Sequence, residues 1–158
     1  MSQVIGKELT GDLLTRLSGY DLSDKCGKAI LIVTVDDQGW AHPAMLSYFE
    51  VVAKNSATID CAVGRTSTTA KNLRRSGKLT LLVTDQRVNY YVKGSARELR
   101  EAMEGVPFMS LFRVATEQIL EDQEPDAEIV TGVTFRRPEK RAITDLVEKI
   151  FRAVRGEP

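Results

Sequence analysis

The sequence predicts a mainly β chain of the α+β class, folded as an antiparallel β-barrel with peripheral helices at both termini. Seven short segments of strand character follow one another at fairly regular spacing. Their connections are too short for the crossovers that parallel strands require. Apolar stripes at helical spacing occur near both ends of the chain, with one small helix between strands. An antiparallel sheet leaves unpaired edges, and closure into a barrel removes them. The 158 residues, 42% of them hydrophobic, suit one domain over 1–158, with the barrel at about 28–137 and a C-terminal helix at about 139–155.

Leu9, Leu13, Leu14 and Leu17 share one face of a helix over 7–18, which Gly19 ends. Ala29 to Val35 is a β-branched run that reads as a strand covered on both sides. Asp36-Asp37-Gln38-Gly39 is a turn, and the chain returns from Trp40 to Phe49 to complete a hairpin. Thr58 to Val63 alternates Ile59, Cys61 and Val63 against Thr58, Asp60 and Ala62, the period of a half-buried strand, and Gly64 closes it. A short helix over Ser67 to Ser76 stops at Gly77, a residue that adopts the left-handed conformation at low cost. Leu79 to Thr84 and Val88 to Ala96 form a second hairpin through Asp85-Gln86-Arg87, with Val88, Tyr90 and Val92 on one face. Leu111 to Glu121 and Glu128 to Arg137 read as two further strands joined by Asp122 to Asp126, although Val114 to Leu120 also fits a helix. Ile143, Leu146, Val147, Ile150, Phe151 and Val154 follow the i, i+3, i+4 series of the last helix.

Lys+Arg and Asp+Glu both number 22, so the formal net charge is zero. The apolar fraction and this balance argue against disorder, and the missing basic excess argues against a general nucleic-acid binder. The densest apolar stretch is too short to cross a bilayer. The amino terminus lacks the basic flank and apolar run of a secretory signal, so the expectation is a cytoplasmic protein with no membrane partner. Cys26 and Cys61, far apart and without CxxC spacing, suggest neither a disulfide framework nor a zinc site and read as buried thiols.

Chemistry concentrates at Gly64-Arg65-Thr66-Ser67-Thr68-Thr69-Ala70-Lys71-Asn72-Leu73-Arg74-Arg75. A strand ends at a glycine, four hydroxyl side chains follow, and a helix begins with basic residues and no acidic ones. Unpaired N–H groups and partial positive charge at a helix start, with the hydroxyls, Arg65 and Lys71 around them, make an anion pocket suited to a phosphate. The plainer alternative is that Ser67 or Thr66 caps the helix while the cations are solvated. His42 is the only histidine, so no histidine pair, metal cluster or Ser-His-Asp set can form. It reads as a half-buried imidazole satisfied by a backbone group. Trp40, Tyr90 and Tyr91 either fill the core or stack on a planar ligand. Asp36-Asp37 and Glu121-Asp122 read as solvated turn carboxylates, and Arg136-Arg137 with Lys140-Arg141 as a solvated basic run or one that reaches a partner's ligand.

The order of these parts resembles the pyridoxamine 5'-phosphate oxidase-like FMN-binding split-barrel family. The likeness runs from about Lys28 to Arg137. It is carried by the hairpin with His42-Pro43, the hydroxyl and basic turn, "AKNLRR" at 70–75, "VKGSA" at 92–96 and the closing stretch from Ile129 to Arg137. The resemblance implies a split barrel, a homodimer and FMN at the subunit interface. It implies that the flavin ring lies along His42, Pro43, Ala44, Met45 and Leu46, and that the phosphate meets Arg65, Ser67, Thr68, Thr69 and Lys71. Many relatives carry an Arg-Lys pair where Thr68-Thr69 stand here; hydroxyls replace those hydrogen bonds but not the charge, which leaves Arg65 and Lys71 to supply it. A deazaflavin is the alternative cofactor. The implied function is flavoprotein oxidoreductase chemistry on a small-molecule redox substrate, with no catalytic side chain identified; a non-catalytic FMN or deazaflavin carrier or stress-related sensor is the alternative. A barrel that binds nucleic acid through Arg65 to Lys78 ranks last, because net charge is zero and exposed-looking aromatics are few.

Overall fold

The computed structural model describes residues 1–136 and 145–157. Its strands are β1 (Ser2–Gly6), β2 (Ala29–Val35), β3 (Ala41–Ser47), β4 (Val51–Asn55), β5 (Thr58–Gly64), β6 (Lys78–Asp85), β7 (Val88–Arg100) and β8 (Met109–Asp122). The helices are α1 (Gly11–Leu17), α2 (Thr68–Ser76) and α3 (Asp145–Arg155), with a single 3-10 turn at Leu22–Lys25. The strands form one antiparallel sheet in the order β3-β2-β6-β7-β8-β5-β4, and β1 pairs with the far end of β8.

One connection dictates the curvature. β3 and β4 lie at opposite ends of the seven-strand path, yet only Tyr48, Phe49 and Glu50 join them. Edges of a flat seven-strand sheet would stand about 29 Å apart, whereas the four links from Ser47 to Val51 reach at most about 15 Å. The sheet must therefore curl until its edges meet at this corner. Glu50 fixes the corner: its carboxylate accepts from the Ser47 N–H at 2.6 Å and the Ser47 hydroxyl at 2.8 Å, and its carbonyl accepts from the Ala62 N–H at 2.8 Å. No ladder joins β3 to β4, so the barrel is split.

The interior is filled by alternate residues of each strand, among them Ile30 and Ile32, Leu79, Leu81 and Val83, Ile59, Cys61 and Val63, and Phe112 and Val114. Leu13 and Leu17 of α1, with Leu9 just before it, join this cluster, so α1, which packs against β4, helps close the split side; the helix expected over 7–18 starts only at Gly11, and Leu9 lies outside it. The Thr10 side chain caps α1 by accepting from the Leu13 N–H. A smaller cluster lies on the outer face, where Val52, Ala62, Met109 and Leu111 pack with Ile150 and Val154 of α3. Val147 is also buried, but Leu146, expected in the same stripe, is 45% exposed.

Several expectations are corrected. Met109–Asp122 is one continuous strand, which removes the helical alternative for Val114 to Leu120 and places Glu121-Asp122 in a strand rather than a turn. β8 satisfies β7 along one side, and β5 and then β1 along the other. Residues 128–136 do not form a ladder strand. They cross the barrel end as a strap: the Ile129 carbonyl accepts from the Arg87 N–H, the Val133 carbonyl from the Ala29 N–H, and the Phe135 N–H donates to the Gly27 carbonyl. Gly132 lies so close to Thr84 that an added Cβ would stand 2.1 Å from the Thr84 carbonyl oxygen. The strand stretch at Arg137, the basic run at 137–141 and Ile143 lie outside the described residues. Cys26 is exposed rather than buried, whereas Cys61 is buried and its thiol pKa is pushed up by desolvation.

Candidate functional site

The predicted phosphate turn begins where β5 ends. The Ser67 hydroxyl accepts from the Ala70 N–H at 3.1 Å and so caps α2, as the plainer reading held. The Lys71 N–H takes the Ser67 carbonyl at 3.1 Å. The N–H groups of Thr68 and Thr69 keep no acceptor within the described chain, as expected for the first turn of a helix. Thr68, Arg65 and Lys71 are exposed, and neither Arg65 nor Lys71 has a side-chain hydrogen bond or ion pair among the described residues. Thr69 differs: it is buried.

Arg74 does the structural work nearby. Its guanidinium donates to both carboxylate oxygens of Glu98, to the Arg65 carbonyl at 2.9 Å and to the Ser110 hydroxyl at 3.0 Å. That hydrogen bonding holds the Glu98 carboxyl below the usual carboxylate range. The Arg65 N–H donates to the Phe108 carbonyl at 2.9 Å. The Arg65 backbone is thus pinned on two sides while its side chain stays available.

The predicted ring strand is β3, an edge of the sheet. Ala41, Pro43 and Met45 are exposed; His42 and Ala44 are half-buried and Leu46 is buried, so the strand alternates between an outer and an inner face. The Asp36 N–H bonds the Trp40 carbonyl, in register with the Thr34–His42, Ile32–Ala44 and Ile30–Leu46 pairs. By the period-two rule these residues turn their backbone groups to β2, and Ala41, Pro43 and Met45 turn theirs to the open edge. Pro43, which has no N–H, sits where no ladder donor is needed. His42 belongs to the inner parity, and its carbonyl accepts from the Thr34 hydroxyl at 3.4 Å. Trp40 is 71% exposed and fills no core space, Tyr90 is buried, and the Tyr91 hydroxyl donates to Asp122 at 2.9 Å.

The two predicted patches meet through residues that sequence reasoning did not single out. Asn72 of α2 donates to the Thr34 hydroxyl at 2.9 Å, and both side chains are buried. Arg75, one turn later, donates to the Val35 carbonyl. The signal was an asparagine one helical turn beyond Thr69 and beside Leu73, on the face that packs against the sheet. Clefts among the described residues include one lined by Arg87 and residues 123–129 and one between α1, β4 and Arg155. Arg65, Thr68 and Lys71 on one side and Ala41, Pro43 and Met45 on the other are exposed.

The architecture is a split antiparallel β-barrel with helices at its termini. The chain is 28% identical over 124 residues to the "Uncharacterized protein YclD" of Bacillus subtilis, covering 78% of this chain and 80% of that one. No family model matches the chain. A crystal structure of a protein from Lactobacillus delbrueckii, provisionally assigned as a pyridoxamine 5'-phosphate oxidase, superposes with a TM-score of 0.60 at 14% identity, over 75% of this chain and 98% of that one. An FMN-binding protein from Syntrophomonas wolfei gives 0.55 at 18% identity, over 72% and 88%. A variant of HupZ from Group A Streptococcus gives 0.56 at 16% identity, over 72% and 99%. At these identities the likeness establishes a shared fold. No helix among the described residues is long and apolar enough to cross a membrane.

Proposed function

We propose that this chain is an FMN-binding protein of the pyridoxamine 5'-phosphate oxidase-like type, working as a homodimer and a flavin-dependent oxidoreductase. The observation that carries the reading is the donor set at α2. Two amides and two cations that have no partner among the described residues stand together with the Thr68 hydroxyl in a segment, 64–76, that contains no carboxylate. Such a set fits a phosphate in both geometry and charge. The open backbone edge of β3, linked to α2 through Asn72 and Thr34, fits a flat heterocycle that needs hydrogen bonds in its plane. Bound FMN would supply the electron and hydride transfer chemistry. The chain's own part is to hold the phosphate at Arg65, Ser67, Thr68 and Lys71 and to orient the ring along His42 to Leu46. Thr69 would contribute its backbone N–H, since its side chain is buried.

Among the described residues, the outer face of the sheet away from α3 supports the dimer; Leu31, Leu82, Tyr91 and Leu120 within it are half-buried. Met45, Leu31, Leu82, Tyr91, Leu120 and Val4 stand opposite one another in a row across β3, β2, β6, β7, β8 and β1. Met45 is 63% and Val4 60% exposed, whereas the same face at β4 and β5 is covered by α3. A contiguous apolar face of this kind marks an interaction surface. A second subunit there would give the open cofactor surface its other wall.

Titration with FMN, followed by flavin fluorescence, tests the reading. Replacing Arg65 and Lys71 by Ala should weaken binding, each charge-assisted hydrogen bond contributing roughly 1.5–3 kcal/mol. No binding at high micromolar FMN, with a deazaflavin also failing, overturns it. Light scattering that returns a monomer of 17.6 kDa with FMN present overturns the dimer. Reduction of the bound flavin by a nicotinamide donor, followed by reoxidation, separates an enzyme from a carrier or sensor.

A further inference from the structure

α2 carries two polar side chains on the side that packs against β2. Asn72 donates to the Thr34 hydroxyl at 2.9 Å, and that hydroxyl donates to the His42 carbonyl at 3.4 Å. Asn72 is 4% and Thr34 1% exposed, and theirs is the only hydrogen bond between two buried side chains among the described residues. Thr34 shares its face of β2 with Ile30 and Ile32, and Asn72 lies beside Leu73. An apolar pair of the same shape at such a place is neutral or stabilising. What an apolar pair cannot supply is direction: packed methyl groups let a helix slide, whereas an amide seated on a hydroxyl fixes its register. Arg75 adds a second point one turn along, on the Val35 carbonyl next to Thr34.

We propose that Asn72 is a positioning residue that sets the distance between the anion-binding turn of α2 and the open edge of β3. One ligand that carries both a phosphate and a planar ring then meets both patches at once. The inference rests on the FMN reading above. Its consequence is a coupling between two halves of a ligand, and a pair of probes that differ only in the phosphate measures that coupling: FMN and riboflavin.

The experiment compares the affinities of both flavins for the wild-type chain and for Asn72→Leu, Thr34→Val and Thr34→Ser, with circular dichroism to verify folding. Wild type should bind FMN more tightly than riboflavin. In Asn72→Leu and Thr34→Val that preference should fall at least tenfold, with riboflavin affinity held within threefold; Thr34→Ser, which keeps the hydroxyl, should retain the preference. A merely structural role would lower the melting temperature and leave the ratio unchanged, and an unchanged ratio in folded Asn72→Leu and Thr34→Val overturns the inference alone. If Asn72→Leu does not fold, the near-isosteric Thr34→Val decides. A wild-type chain that binds FMN no better than riboflavin, or neither, overturns the FMN reading together with this one.

Discussion

Replacing Asp85 by Asn should remove the anchor that holds the start of the chain to the barrel. Asp85 ends β6 and is 8% exposed. Both its oxygens accept from Lys28 Nζ, at 2.9 and 2.8 Å, and one accepts from Arg16 of α1 at 3.3 Å. The Gln86 N–H adds a fourth contact at 2.8 Å. Burial alone would raise the carboxyl pKa, but the Lys28 and Gln86 hydrogen bonds and the charges of Lys28 and Arg16 outweigh it and hold the pKa below its ordinary value. An amide in its place leaves Arg16, and Lys28 more so, partly buried without its full counter-charge, a change that costs about 3 kcal/mol. For a chain of this size that is a fall in Tm of about 6–12 °C. The sign with pH follows from the lowered pKa. The carboxylate's contribution is fully present above its unfolded value near 3.9 and is lost as pH falls through the lower folded value. Asn resembles the protonated acid, so wild type and variant should differ at pH 7 and converge toward pH 2. Thermal denaturation across that range is the assay. A loss below about 0.5 kcal/mol at pH 7, or a gap that stays constant down to pH 2, refutes the reasoning.

Three further outcomes follow from the same structure. His42→Ala should keep FMN affinity within about tenfold, roughly 1.4 kcal/mol, because the structure gives His42 a hydrogen bond through its carbonyl; complete loss of flavin from a folded variant would contradict this. Gly132→Ala should destabilise by about 1–3 kcal/mol in denaturant unfolding, since its Cβ would meet the Thr84 backbone at 2.1 Å; no change would mean that the strap does not press on the barrel end. Leu13→Ala, at a fully buried position of α1, should cost about 2–5 kcal/mol, and a cost near zero would show that α1 adds little to the core.

Much of the barrel was legible because its burial is periodic. Ile30 and Ile32, and Leu79, Leu81 and Val83, alternate as half-covered strands must, and the bounds of β2 match those read from the sequence. Coverage is the reverse of expectation in two strands: β2, expected to be covered on both sides, leaves Leu31 and Val33 half-buried and Val35 exposed, whereas β5, expected to be half-buried, also buries Asp60 and Ala62. β1 escaped because four of its five residues are exposed: it is held by backbone pairing to β8, which leaves no side-chain pattern. β4 escaped because Val51 and Val52 are both buried, one against the barrel interior and one against α3, so the run does not alternate. Ile129 to Phe135 has strand composition but lies across a barrel end, where only a few of its backbone groups find partners. In the candidate site, hydroxyl and basic composition marked the turn at 65–71. It could not show that Thr69 is buried, that Arg74 is committed to Glu98, or that Asn72 reaches Thr34, since those depend on how α2 is rotated against the sheet.

The corner at Tyr48 to Glu50 gives the barrel an uneven resistance to opening. β6, β7 and β8 are paired on both flanks, while β3 and β4 each have one partner and share no ladder. Parting β3 from β4 breaks no strand pairing among the described residues and is opposed by core packing, to which the leucines of α1 contribute. Opening of part of the sheet should thus begin at this seam, with amides along β3 exchanging with solvent sooner than those of β7. A ligand seated between the β3 edge and the start of α2 would clasp the weaker side, so its binding energy would appear as added protection where the unliganded chain holds least.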